Sequence, residues 1–198
     1  RILVHSSIAE EFIKRLGSYA DQLTIGDPLN EATEIGPLIS KEHREHVLDY
    51  VELGKVEGAN LFQGGTVLSD KSFDQGAYML PTIFTDVEPS MRIAQEEIFG
   101  PVACIMTFKS LDEALEIANG TQYGLGAGVW TSSTDSAFQA VHRLHSGNVW
   151  VNDWGGCRSE LPWGGCKKSG FGRELGHEAL EIFLQTKSVH IAHSTIAP

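Results

Sequence analysis

Seven consecutive residues, Val102-Ala103-Cys104-Ile105-Met106-Thr107-Phe108, run almost without a polar side chain, directly after Gly100-Pro101. A strand with one wet face alternates apolar and polar residues, so an unbroken apolar run of strand length belongs to a strand covered on both faces. Such sheets are built from strand–helix–strand units, and the rest of the chain supplies those units in order.

Residues 1–5 read as a first strand. Ser7, with Glu10 three positions on, predicts a capping box opening a helix in which Ile8, Phe12, Leu16, Tyr19 and Leu23 recur at helical spacing. Ser40 is the expected cap of a second helix running to Gly58, with Val47 and Val51 on one face. A short strand is expected at 60–63, and an extended segment at 78–84 whose Pro81 lacks an amide and so places it at an edge or in a loop. Ser110 and Glu113 form a second capping box, opening a helix that carries Leu111, Ala114, Leu115 and Ala118. A strand follows at 126–130, then a helix at 134–145 closed by Gly147 in the left-handed conformation, then a strand at 148–152 with Val149 and Val151. The glycine- and aromatic-rich loop 153–172 has a length that in compact domains marks function or disorder. A short helix at 176–184 leads to a last strand at 188–191, expected on an exposed edge and paired with another chain, the alternative being an ordinary internal strand of the main sheet. The fold class is α/β, a mostly parallel sheet covered by helices. One domain is expected over 1–186, with an oligomerisation strand and tail over 187–198.

Charge and cysteine usage narrow the partners. The chain carries 15 basic against 26 acidic residues, a formal charge of −11, and no basic cluster, which argues against nucleic acid. No apolar run reaches membrane-spanning length, and the opening residues do not read as a signal peptide. Three cysteines, an odd number, fit reduced thiols in a cytoplasmic setting better than a disulfide framework. A chain that opens at Arg1, inside a strand, reads as a fragment of a longer protein.

Three segments draw the eye chemically. In Glu96-Glu97-Ile98-Phe99-Gly100-Pro101-Val102 the turn presents Glu97 and Phe99 at a strand entrance. A carboxylate there suits a sugar diol, and an aromatic beside it suits a flat ring; against this stands a solvated Glu97 and a core Phe99. The loop from Asn152-Asp153-Trp154-Gly155-Gly156-Cys157 to Pro162-Trp163-Gly164-Gly165 suits a ligand or, equally, a subunit contact. Ser169-Gly170-Phe171-Gly172-Arg173-Glu174 reads as a tight turn with a structural charge pair. Cys104 reads as an inert buried thiol, and Cys166 lies beside Lys167 and Lys168. The eight histidines show no metal-ligand spacing, and no phosphate-cradling glycine motif is present.

Taken together, EEIFGPV (96–102), YGLGAGVW (123–130), VNDW (151–154) and PWGGCKKSGFGRELG (162–176) resemble the successive C-terminal motifs of the aldehyde dehydrogenase superfamily, and GAYMLPTIF (76–84), GDPL (26–29) and IGPLIS (35–40) are similar to its earlier segments. The resemblance is collinear over nearly the whole chain. It implies the C-terminal part of the catalytic domain over 1–186. Glu97 then matches the glutamate that holds the nicotinamide ribose hydroxyls of NAD or NADP, and Phe99 the aromatic beside the nicotinamide. The family's nucleophilic cysteine, general-base glutamate, oxyanion-hole asparagine and dinucleotide-binding domain lie ahead of the position of Arg1, so the resemblance implies that this chain alone is inactive. It also implies a small aldehyde substrate and a homo-oligomer. Trp163 matches an aromatic that faces the cationic end of betaine-aldehyde and amino-aldehyde substrates, and Cys157 a small substrate-site position often filled by cysteine there. Trp154-Gly155-Gly156 departs from that subfamily's pattern. Some betaine-aldehyde enzymes bind potassium at carbonyls matching Lys167 and Gly170, but no metal site is assigned. Two readings compete with this one. One is an autonomous binding module or pseudoenzyme on the same fold. The other is a cysteine hydrolase using Cys157, for which the sequence nominates no histidine base.

Overall fold

The computed structural model describes residues 1–68 and 73–192, and the chain divides into two compact units, 1–121 and 122–198. In the first unit β1 (Ile2–His5), β2 (Asn60–Gln63), β3 (Thr82–Thr85) and β4 (Val102–Phe108) form one sheet in the order β1-β4-β3-β2. The β1–β4 and β3–β4 pairs are parallel, and β2 runs antiparallel to β3. The α/β, mostly parallel expectation therefore holds.

The apolar run of β4 is explained by what covers it. Cys104 and Met106 enter one core cluster with Phe84, with Val47 and Val51 of α2 (Lys41–Val56), and with Ile93 and Ala94 of α3 (Arg92–Gln95). Ile105 points the other way, with Val4 and Ile83, into a second cluster against α1 (Ala9–Gln22). Alternate residues of one strand thus feed two cores, one on each face. Gly54 of α2 lets that helix settle on the sheet: a Cβ there would stand 3.0 Å from both Phe84 and Ile93. The remaining helix of this unit, α4 (Leu111–Asn119), is capped by Ser110, whose hydroxyl accepts from the Glu113 amide.

In the second unit β5 (Tyr123–Gly124) pairs antiparallel with β8 (Cys166–Lys167), and β6 (Gly126–Val129) pairs parallel with β7 (Asn148–Val151). The helices here are α5 (Thr134–Arg143) and the single turn α6 (Glu178–Glu181). No helix among the described residues is long and apolar enough to cross a membrane.

Several local expectations fail for identifiable reasons. Ser7 does not cap α1; its hydroxyl lies 2.8 Å from His5 Nδ1, and Ile8 occupies the cap position without a side-chain bond. A serine near its own backbone turn is captured by the nearer partner. Of the two places expected for the Pro81 segment, an edge or a loop, Pro81 itself takes the second: it stands outside any strand, one residue before β3, which is no edge but is buried throughout and paired on both sides. Gly147 does not close α5 with a left-handed residue; its φ is not positive, and what it needs is space, because a Cβ there would run into the Gly164 carbonyl. The helix expected at 176–184 is reduced to α6. Residues 188–191, expected to pair with another chain, are exposed and make no ladder with the described residues of this one, as β-prone residues do where no partner strand is at hand. The end of the tail, 193–198, lies outside the described residues.

Candidate functional site

The first unit presents its candidate residues in the segment between α3 and β4. Its two adjacent glutamates differ completely. Glu96 accepts from Arg92 Nε and Nη2 at 2.7 and 2.9 Å and from the Tyr50 hydroxyl at 2.7 Å. These donors, Arg92 foremost and then Tyr50, hold its carboxyl at about 2, well below the usual carboxylate range. The pair therefore stays ionised as pH falls through the range where an ordinary glutamate protonates. Arg92 is itself fixed, because its amide and that of Ile93 donate to the two Glu57 carboxylate oxygens at 2.9 and 3.4 Å.

Glu97 has none of this. It is exposed, and no hydrogen bond or ion pair engages its carboxylate among the described residues. Ile98 turns inward and joins the core, which leaves Glu97 and Phe99 facing out on either side of it. Phe99 is 76% exposed, so the alternative of a core phenylalanine is excluded. Its backbone sits at φ 52°, a left-handed conformation uncommon for a residue of this bulk. The His43 imidazole meets it: Nε2 lies 2.8 Å from the Phe99 carbonyl oxygen, and the two rings make an edge contact at 6.3 Å.

The second unit carries an aromatic chain made of all four tryptophans. Trp130 approaches Trp154 at 6.5 Å, Trp154 approaches Trp150 at 5.1 Å, and Trp150 approaches Trp163 at 5.9 Å between ring centroids. Trp163 is half-buried and pinned by a two-way backbone pairing with Glu174. Cys157 is exposed, its thiol 3.9 Å from the Gly155 carbonyl. Trp150 links the two sequence-nominated residues, since its ring meets Trp163 while its Nε1–H donates to Gly156 O at 3.0 Å, next to Cys157. Sequence reasoning passed over Trp150. Its alternation with Val149 and Val151 in β7 was the available signal, because it places the indole on the opposite face of the strand.

The other thiols are spent on structure. Cys104 is buried, donates to Ile93 O at 3.3 Å, and has its pKa pushed up by that burial. Cys166 points at the carbonyls of Gly124 and His145, each at 3.3 Å. Lys167 takes a positive φ of 55°, and its carbonyl accepts from the Gly170 amide at 3.4 Å. No group of three or more His, Cys, Asp or Glu residues among the described residues has the arrangement of a metal centre.

With this geometry in place, comparison with known proteins is decisive at the level of family. The model of the aldehyde dehydrogenase family matches residues 1–189, and the chain belongs to that family. It is 44% identical over 191 residues to a betaine aldehyde dehydrogenase of Rhizobium johnstonii, covering 96% of this chain and 39% of that one. It is 45% identical over 195 residues to an aldehyde dehydrogenase of Enchytraeus buchholzi, covering 98% of this chain and 38% of that one. Among solved structures, betaine aldehyde dehydrogenase from Staphylococcus aureus in complex with NAD+ superposes with a TM-score of 0.92 at 39% identity, over 94% of this chain and 37% of that one. The chain spans about two fifths of the length of the curated relatives it matches.

Proposed function

We propose that this chain forms the part of an NAD(P)-dependent aldehyde dehydrogenase that holds the nicotinamide end of the cofactor and one wall of the aldehyde site. The observation that carries this is the contrast between the neighbouring glutamates: Glu96 is consumed by Arg92 and Tyr50, while Glu97 is exposed, without a partner among the described residues, beside an exposed aromatic ring. A carboxylate of that kind accepts two hydrogen bonds from a ribose diol, and the adjacent Phe99 ring covers a flat heterocycle. NAD+ is the form we favour, being the cofactor in the S. aureus complex. When bound, the cofactor accepts hydride from the substrate carbon; this chain's residues hold and orient it. Replacing Glu97 with Gln in the full-length protein carrying this sequence is expected to cost about 1.5–3 kcal/mol, because a neutral amide is a weaker acceptor. The loss should appear as a rise in KM for NAD+ of roughly ten- to a hundredfold with the melting temperature unchanged. Unaltered kinetics with a lowered melting temperature would make Glu97 a structural residue.

For the substrate we infer a cationic aldehyde of the betaine-aldehyde type, met by the face of Trp163, with Cys157 lining the same loop. The support is the half-buried Trp163 ring, packed on Trp150 so that its orientation is fixed, together with the similarity to betaine aldehyde dehydrogenases. Desolvated, such a ring attracts a quaternary ammonium by about 1–2 kcal/mol. Trp163→Ala is therefore expected to lower kcat/KM for a cationic aldehyde roughly tenfold more than for a neutral one of equal size. An equal loss for both would remove the cation from the argument. We further propose that residues 188–191 add to a sheet of a second copy of the protein, their exposed and unladdered backbone being the support.

A further inference from the structure

We propose that α2 sets the position of the cofactor-facing segment, and that His43 is a positioning residue that fixes Phe99 through its main-chain carbonyl. The proposal rests on the reading of Glu97 and Phe99 as the nicotinamide-end contacts and adds what holds them in place.

The segment is tied at three points. At one end Tyr50 reaches Glu96, with the hydroxyl 2.7 Å from Oε2. In the middle Ile98 is sunk in the core. At the other end His43 Nε2 lies 2.8 Å from the Phe99 oxygen. A carbonyl can only accept, so Nε2 carries the proton in this contact. His43 and Tyr50 both belong to α2 and stand two helical turns apart, which puts them on one face of a rigid rod. His46 fills the interval, its ring 6.3 Å from His43 and 5.2 Å from Tyr50. The His43 end is itself held, because its amide donates to the capping hydroxyl of Ser40 at 3.1 Å. A non-glycine residue in the left-handed region persists only where its surroundings over-determine it, and at Phe99 the His43 bond supplies that constraint. Freed from it, Phe99 relaxes toward ordinary backbone angles, and Glu97, two residues back, turns with it.

The test uses the full-length protein carrying this sequence and three variants. His43→Phe keeps an aromatic ring against Phe99 and removes the donor; His43→Gln restores a donor at similar reach. The first readout is hydrogen exchange, without cofactor, of the Val102 amide, which donates to the Gly100 carbonyl at 2.7 Å just past the held residue. It is expected to quicken about five- to tenfold in His43→Phe, the loss of one hydrogen bond, and to stay within about twofold of wild type in His43→Gln. The second readout is KM for NAD+, expected to follow the same pattern. Should His43→Phe fail to fold, His43→Ala reads the same exchange. Unchanged exchange in the donor-less variant, or failure of glutamine to restore it, overturns the proposal. A wild-type protein that does not bind NAD+, with exchange still following the donor, overturns the functional reading alone and leaves the positioning role standing.

Discussion

Phe84→Ala is expected to destabilise the first unit by about 3–5 kcal/mol, the cost of deleting a fully buried aromatic ring. Phe84 is 0% exposed in the inner strand β3, which pairs with β2 on one side and β4 on the other. Its ring lies directly against α2, since a Cβ at Gly54 would stand 3.0 Å from it. Neighbours pressed that close by the backbone cannot collapse into the space, so the cavity term adds to the lost transfer energy instead of being relaxed away. Loss of Phe84 also loosens the floor under Ile98, which belongs to the same cluster. Hydrogen exchange of the β3 and β4 amides measures the opening energy of this unit directly. A change below about 1 kcal/mol would mean that the core repacks around the gap and that Phe84 is not its centre.

The parts of this molecule legible in its sequence are those decided by neighbours along the chain. The β4 run announced a strand covered on both faces, and Ser40 and Ser110 both cap as expected, each accepting from the amide three residues on. Gly100-Pro101 marked the strand entrance at which Glu97 and Phe99 stand. Ser7 carried the same local signature and failed, because His5 competes for its hydroxyl, and that competition depends on the path of the turn. The paired two-residue strands β5, just ahead of the 126–130 strand, and β8, inside the glycine-rich loop, were invisible, since neither is long enough to show a period.

What could not be read is what distance in sequence conceals. His43 lies 56 residues from the carbonyl it holds, and Tyr50 lies 46 from Glu96. Nothing in Lys41-Glu42-His43-Arg44 distinguishes a histidine that fixes a distant loop from one that is merely solvated. The same limit hid the difference between Glu96 and Glu97. Both are acidic and adjacent, and only the tertiary placement of Arg92 and Tyr50 decides which carboxylate is engaged and which is left exposed. Trp150 shows the intermediate case: its strand alternation was visible, but the loop that folds back to put Gly156 on its Nε1 was not.

The 198-residue chain by itself is expected to oxidise no aldehyde with NAD+ or NADP+, a deficit of many powers of ten against a complete dehydrogenase of this family. The chemistry needs a thiolate that attacks the carbonyl, and none of the three thiols here is placed to supply one. Cys104 is buried in β4, facing the core cluster, with its pKa raised and its proton directed at Ile93 O. Cys166 is directed at two main-chain carbonyls that tie β8 to its surroundings. Cys157 is exposed but faces only the Gly155 carbonyl, and among the described residues no imidazole is bonded to any of the three. That arrangement also weighs against a hydrolase built on Cys157, which would need a base within hydrogen-bond reach. On the proposed reading the residues present would hold and orient, and orientation without a nucleophile gives no covalent intermediate to split the reaction into two easier steps. The assay is nicotinamide reduction with a panel of aldehydes that includes betaine aldehyde, run on chain whose far-ultraviolet dichroism shows it folded. Turnover above a heat-killed control would refute the expectation, and its loss in Cys157→Ser would identify that thiol as the nucleophile after all.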